Sequence, residues 1–123
     1  MPNPFVHVEL ATNDPGKAKD FYGKLFDWKL EDTPMPEGTY TMVEVGENEY
    51  GVGGGIMKAP MPGMPSNWMA YVAVDDLKAA TEKAQSLGAT VVKDVTPVPG
   101  MGSFTIIADP TGAVLGLWKS DSA

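Results

Sequence analysis

The chain contains no cysteine. Disulfides, thiolate metal sites and thiol nucleophiles are thereby excluded. It contains a single histidine, His7, so any imidazole chemistry near neutral pH rests on that one side chain. It also lacks a basic excess: 9 lysines and arginines stand against 16 aspartates and glutamates, a formal net charge of −7. That is the wrong sign for a surface that neutralises phosphates, so nucleic acid and anionic membrane are poor partners. There is no apolar run of about 18 residues and no basic-plus-apolar leader, so the expectation is a soluble, unexported, cytoplasmic protein. Gly51-Val-Gly-Gly-Gly55 lacks the lysine, the Ser/Thr and the following helix of a phosphate loop, and no Gly-x-Ser-x-Gly elbow occurs.

What is present is one domain's worth of sequence: 123 residues, 43% hydrophobic and 20% charged, enough to build a core. The 14 glycines and 11 prolines predict many turns and short strands. Phe5–Ala11 alternates Phe5, His7, Glu9 and Ala11 against Val6, Val8 and Leu10, as a half-buried strand does. Asp14-Pro15 supplies a cap and a first helical residue. Ala18, Phe21, Tyr22, Leu25 and Phe26 then give one apolar helical stripe ending near Asp27. Trp28–Glu31, Tyr40–Val45 and Tyr50–Met57 read as strands, separated by turn-formers at Thr33–Gly38 and Gly46–Asn48. The first half is therefore β-α-β-β-β.

Lys58–Ser66, with three prolines, can only be a connector. After it the pattern restarts. Trp68–Val74 alternates as a strand, Asp75-Asp76 caps a helix carrying Leu77, Ala80, Ala84 and Leu87, and Gly88 closes that helix. Thr90–Val95, Ser103–Ala108 and Ala113–Trp118 complete a second β-α-β-β-β. The two capping aspartates lie about 61 residues apart, and Gly55-Ile56 recurs at the same spacing as Gly116-Leu117. The expected fold class is α+β: a first βαβββ module over 1–57, a Met/Pro-rich connector over 58–66 and a second module over 67–120, together one structural domain. Each module has a helix on one sheet face and needs cover for the other. The two inner faces are expected to curl around a shared cleft, into which the alternation sends Phe5, His7 and Glu9 from the first module and Met69, Tyr71 and Ala73 from the second.

On His7 at the opening of the first strand, the Asp14-to-Phe21-Tyr22 spacing, Val74-Asp75-Asp76-Leu77, Leu87-Gly88-Ala89 and Ala108-Asp109-Pro110-Thr111-Gly112, the chain resembles the vicinal oxygen chelate superfamily, the group of glyoxalase I, bleomycin-resistance proteins and extradiol dioxygenases. The resemblance covers essentially the whole chain. It implies two modules forming a curved, open, barrel-like sheet with the helices outside, and a homodimer. It also implies a divalent metal held by four side chains, one near the start and one near the end of each module. His7 matches the first of these positions; Met69 and Gly116 stand at two others, and Gly53-Gly54-Gly55-Ile56 holds no ligand. One imidazole cannot hold zinc, nickel or iron as three or four ligands do. No cofactor is therefore expected.

His7 and Glu9 together are the candidate polar anchor and the candidate catalytic pair; either reading is open, as is that of ordinary lining. Trp68, Tyr71 and Trp118 are candidate walls for a planar ligand or ordinary core, and Met57 and Met69 flank the connector, whose methionines, including Met61 and Met64, suit an apolar flap. The glycines at Gly53–Gly55 and Gly116 are expected to leave room for a large apolar guest. The function expected is metal-independent binding of a small aromatic or hydrophobic molecule, which the net charge would allow to be cationic. A glyoxalase-like lyase, isomerase or dioxygenase with a rebuilt metal site, and a metal-free acid–base enzyme using His7 and Glu9, are the alternatives.

Overall fold

A computed structural model describes residues 3–35, 38–46, 52–59, 63 and 65–121. The chain divides into two compact units, His7–Met69 and Met1–Val6 with Ala70–Ala123.

The unit His7–Met69 holds most of β1 (Phe5–Thr12), α1 (Pro15–Leu25), β2 (Lys29–Met35), β3 (Gly38–Glu44) and β4 (Gly54–Lys58), with strand order β2-β3-β4-β1. β1 runs parallel to β4; β3 is antiparallel to both β2 and β4. The helix starts where the sequence says it should: the Asp14 carboxylate accepts from the Lys17 amide at 3.0 Å, with Pro15 in the first turn. Its core is Leu10, Val43 and Ile56, covered by Ala18, Tyr22, Trp28, Leu30 and Val45. Only Ala18 and Tyr22 of the expected stripe reach that core. Phe21, Leu25 and Phe26 stay exposed, because an eleven-residue helix crossing a sheet touches it along a narrower arc than the sequence stripe spans.

The other unit mirrors this plan with most of β5 (Asn67–Ala73), α2 (Leu77–Ser86), β6 (Thr90–Val98), β7 (Gly102–Ala108) and β8 (Val114–Ser120), the strands in the order β5-β8-β7-β6. The Asp76 carboxylate caps α2 through the Ala79 amide at 3.0 Å, and Gly88, at φ +103°, turns the chain out of it. Leu77, Ile107 and Leu117 form the core, and Thr81 binds both the Leu77 carbonyl and the Thr105 hydroxyl in its interior.

Two elements outrun their sequence expectation. β2 continues through Thr33-Pro34-Met35 instead of turning there, and β6 continues through Pro97 instead of stopping at Val95. Both are edge strands of their units, where a proline's missing N–H leaves no ladder bond unmade. Of the expected strand Tyr50–Met57, Val52 and Gly53 are not strand and β4 begins only at Gly54; Tyr50 and Gly51 lie outside the described residues, as do Met61 and Met64 of the expected flap.

Candidate functional site

The face of the His7–Met69 unit turned away from α1 is set by register. Glu9 pairs with Gly55, Ala11 with Met57, and Met42 with Gly55, so His7, Glu9, Gly55, Met57, Tyr40 and Met42 share one side. The sequence expectation for His7 and Glu9 holds: both lie on this face, His7 partly buried and Glu9 4% exposed.

Tyr40 brings them together. Its hydroxyl lies 2.5 Å from His7 Nε2 and donates to the Glu9 carboxylate. A phenol has one proton. With that proton given to Glu9, Nε2 carries the imidazole proton and donates to the phenol oxygen, which fixes the tautomer. The result is a buried imidazole–phenol–carboxylate chain. Its electrostatics follow from burial and from Glu9. Desolvation holds the His7 pKa below its ordinary 6.5. Desolvation first, then the charge of Glu9 and its hydrogen bond, push the Tyr40 phenol well above its ordinary 10.0. At neutral pH the imidazole is uncharged and the phenol keeps its proton.

Tyr40 reaches this position because residue 55 is glycine. A methyl group there would overlap the tyrosine's hydroxyl and ring. The other unit repeats the device. Tyr71, 2% exposed, lies over its ladder partner Gly116, where a Cβ would run into its ring, and it meets Phe104 edge-on at 5.9 Å. The expected room for a guest at Gly55 and Gly116 is thus filled by the chain's own tyrosines. At Gly54 the carbonyl of Val8 comes too close for any side chain.

The remaining candidates divide. Met57 lines a cavity of about 250 Å³ that it shares with Tyr40, Met35, Lys19 and Lys58. Trp68 does not join His7 and Glu9: it lies among the aromatic rings beside α1, its indole N–H donating to the Tyr22 hydroxyl at 3.3 Å and its ring 6.3 Å from Trp28. Met69 is buried. Tyr71 packs as core, and Trp118 covers Gly102 opposite Phe104.

Tyr40 was not singled out from the sequence. A signal for it exists: its parity on β3 matches Met42, and an aromatic diagonal to a strand glycine is a recurrent way of filling the glycine's space. Finding it requires the β3–β4 register, which the sequence does not specify.

The donor set does not suit the divalent metal of the resemblance. His7 and Glu9 are two ligands, the phenol beside them resists ionisation, and among the described residues no three histidines, aspartates or glutamates cluster. Gly55 and Gly116 lie beneath tyrosine rings.

Among the described residues no helix is long and apolar enough to cross a membrane. Comparison with known proteins agrees with the two-module plan. "Putative glyoxylase CFP32" of Mycobacterium tuberculosis is 38% identical over 122 residues, covering 93% of this chain and 44% of that protein. "Anthracycline biosynthesis protein DnrV" of Streptomyces peucetius is 28% identical, covering 90% of this chain and 45% of that one. The chain therefore spans under half the length of these curated relatives. Among solved structures, a methylmalonyl-CoA epimerase from Mycobacterium tuberculosis superposes with a TM-score of 0.67 at 15% identity, over 94% of this chain and 86% of its own. A methylmalonyl-CoA epimerase variant from Streptomyces coelicolor gives 0.70 at 14%, over 100% and 98%. At such identities the likeness shows the fold alone. The profile of one family matches residues 5–117, and with it the chain belongs to the Glyoxalase/Bleomycin resistance protein/Dioxygenase superfamily.

Proposed function

We propose that this chain binds a small, largely apolar, partly aromatic molecule without a metal, and that His7, Tyr40 and Glu9 are its polar anchor. The observation that carries this reading is the hydrogen-bonded chain His7–Tyr40–Glu9, on the strand face where the resemblance would place a metal ligand. An imidazole and a carboxylate already joined through a protonated phenol offer directional hydrogen bonds at the edge of an apolar space, the usual composition of a small-molecule site. Met35 and Met57 on the neighbouring cavity supply an adaptable apolar wall.

The net charge of −7 favours cations at long range, but screening limits that field to about 8 Å at physiological salt. Within that distance a ligand in this cavity meets Lys58, and Lys19, which is paired with Asp32 at 3.2 Å. A neutral aromatic molecule bearing hydroxyl or carbonyl oxygens fits better than a cation. The name of DnrV, a protein of anthracycline biosynthesis, makes polycyclic aromatic compounds the first panel to try.

The same geometry favours a second reading, metal-free acid–base catalysis, since the phenol offers a route for a proton between imidazole and carboxylate.

Thermal shift on chelated protein tests both. Zn²⁺, Ni²⁺, Mn²⁺ and Fe²⁺ are expected to leave the melting temperature unchanged, while an aromatic ligand at a hundredfold excess over its Kd stabilises by about 2.7 kcal/mol. Tyr40→Phe and His7→Ala should each weaken that binding about tenfold or more. A metal that stabilises at low concentration, and loses the effect in His7→Ala, overturns the metal-free reading. Binding that survives His7→Ala while turnover collapses establishes catalysis.

A further inference from the structure

The ladder between β3 and β4 is short. It runs Val43↔Gly54, Met42↔Gly55 and Thr41↔Ile56 and ends there, although β3 starts at Gly38 and β4 reaches Lys58. Each strand stays paired on its far side, β3 with β2 as far as Met35↔Gly38 and β4 with β1 as far as Thr12↔Lys58. Thr39-Tyr40 and Met57-Lys58 therefore part from each other, and the cavity of about 250 Å³ opens where they part. Strand alternation gives it walls from both sides of the sheet. Met35, Tyr40 and Met57 come from the side that carries His7 and Glu9; Thr41 and Lys58 come from the α1 side, joined there by Lys19 of the helix.

The charges of this cavity are of one sign, since none of the described residues lining it is acidic. Lys19 is already answered: it lies 3.2 Å from Asp32, whose carboxylate also accepts from the Thr41 hydroxyl at 2.7 Å. Lys58 is not, for among the described residues its ammonium makes no ion pair. Strand edges that have parted present both N–H and C=O groups, so the backbone there does not choose the sign of a guest. The Lys58 ammonium does. Screening beyond about 8 Å leaves such near charges, and not the net −7, to decide. The apolar half selects the remainder of the guest. Met35 and Met57 adapt to irregular shapes, Tyr40 adds an aromatic surface, and the volume lies just under the span of about 300–1,000 Å³ usual for drug-sized ligands. That is room for one substituted ring; anything larger continues over the face that carries His7 and Glu9.

We infer that this cavity takes the acidic end of the ligand: an aromatic carboxylate, its oxygens on Lys58 and its ring against Met35, Tyr40 and Met57. The inference rests on the reading of His7, Tyr40 and Glu9 as a small-molecule site and narrows it from oxygenated aromatic compounds to acids. A neutral compound leaves the ammonium to water, whereas a carboxylate gains a charge-assisted hydrogen bond beside an apolar wall. The charge of Glu9 sets the orientation, because it repels a carboxylate on its own side of the sheet and so directs the acid end to Lys58.

Isothermal titration of the whole chain with benzoate and phenylacetate, each beside its neutral amide, tests this, with the neutral polycyclic compounds of the panel above in the same series. The acids are expected to bind about tenfold or more tighter than their amides, to shift the methyl resonances of Met35 and Met57, and to lose that advantage in Lys58→Gln. Lys58 is exposed, so the substitution leaves the fold intact. Lys24→Gln makes the same change in net charge at an exposed position of α1 and is expected to keep the advantage. Acids and amides that bind alike, an advantage that survives Lys58→Gln or falls equally in Lys24→Gln, or acids that bind without moving the Met35 and Met57 methyls would each overturn the inference. Where a neutral polycyclic compound binds and no acid does, the acid site falls and the polar-anchor reading stands. Where no aromatic compound binds, acid or neutral, both fall.

Discussion

Tyr40 joins the one histidine of the chain to a buried carboxylate, and burial, the first cause for both rings, makes the two residues respond to pH in opposite directions. His7 has its folded pKa below 6.5, so between that value and 6.5 the unfolded chain binds a proton that the folded one does not. Its contribution is complete above about 6.5 and is lost as pH falls. Tyr40 has its folded pKa raised above 10.0, so above that pH the folded chain keeps a proton that the unfolded one releases, and stability is lost as pH rises. The expected outcome is a plateau of stability between about pH 6.5 and 10 from this pair. Urea unfolding across pH tests it, with the acid shoulder below about pH 6.5 reduced in His7→Gln and the alkaline shoulder above about pH 10 reduced in Tyr40→Phe. Since His7 is the only histidine, one imidazole NMR resonance follows it without ambiguity, and titration above 6.5 would refute the assignment. At this scale the sequence yields half the site. The alternation along β1 puts His7 and Glu9 on one face, but the group between them comes from another strand.

The helices are the elements most fully written in the sequence, because their ends are set by local chemistry. Asp14 and Asp76 each accept from an amide three residues on, at 3.0 Å, and Asp109 does the same work in the turn before β8, taking bonds from the Thr111 amide and hydroxyl and the Ala113 amide. Asp14→Ala and Asp76→Ala are each expected to cost about 1 kcal/mol, the usual value of an N-cap. The caps belong to different helices and share no partner, so the double variant should lose the sum of the two, within about 0.5 kcal/mol. Chemical denaturation measures this directly; a loss well below the sum would mean that solvent replaces the carboxylates. Strand limits are less legible. Pro34 and Pro97 look like strand breakers until the strand is known to be at an edge, and that is a property of the sheet, not of the segment. The exposure of Phe21 and Leu25 is equally invisible in a helical stripe, since periodicity shows which residues share a side but not how much of that side the sheet covers.

At the scale of the whole molecule the chain is one unit written twice, and the repeat of about 61 residues was its most informative sequence feature. It places Gly55 and Gly116 at equivalent positions, and the structure puts a tyrosine over each: Tyr40 from the antiparallel neighbour strand in one unit, Tyr71 from the parallel neighbour in the other. The same glycine space is closed by different strands, so the two halves have diverged in which strand supplies the ring while keeping the need to fill the space. Two double-mutant cycles test this. Gly55→Ala and Gly116→Ala should each destabilise by about 1–3 kcal/mol, because the added methyl overlaps a ring held in place by its neighbours. Tyr40→Ala and Tyr71→Ala remove the obstacle at the expense of a cavity, and on each of those backgrounds the glycine substitution should cost much less, giving a coupling of about 1 kcal/mol or more in each cycle. If glycine and tyrosine substitutions are instead additive in either cycle, the ring does not depend on the missing Cβ in that unit. In the first unit that result would also remove the reason Tyr40 can reach His7, and with it the structural basis for the polar anchor.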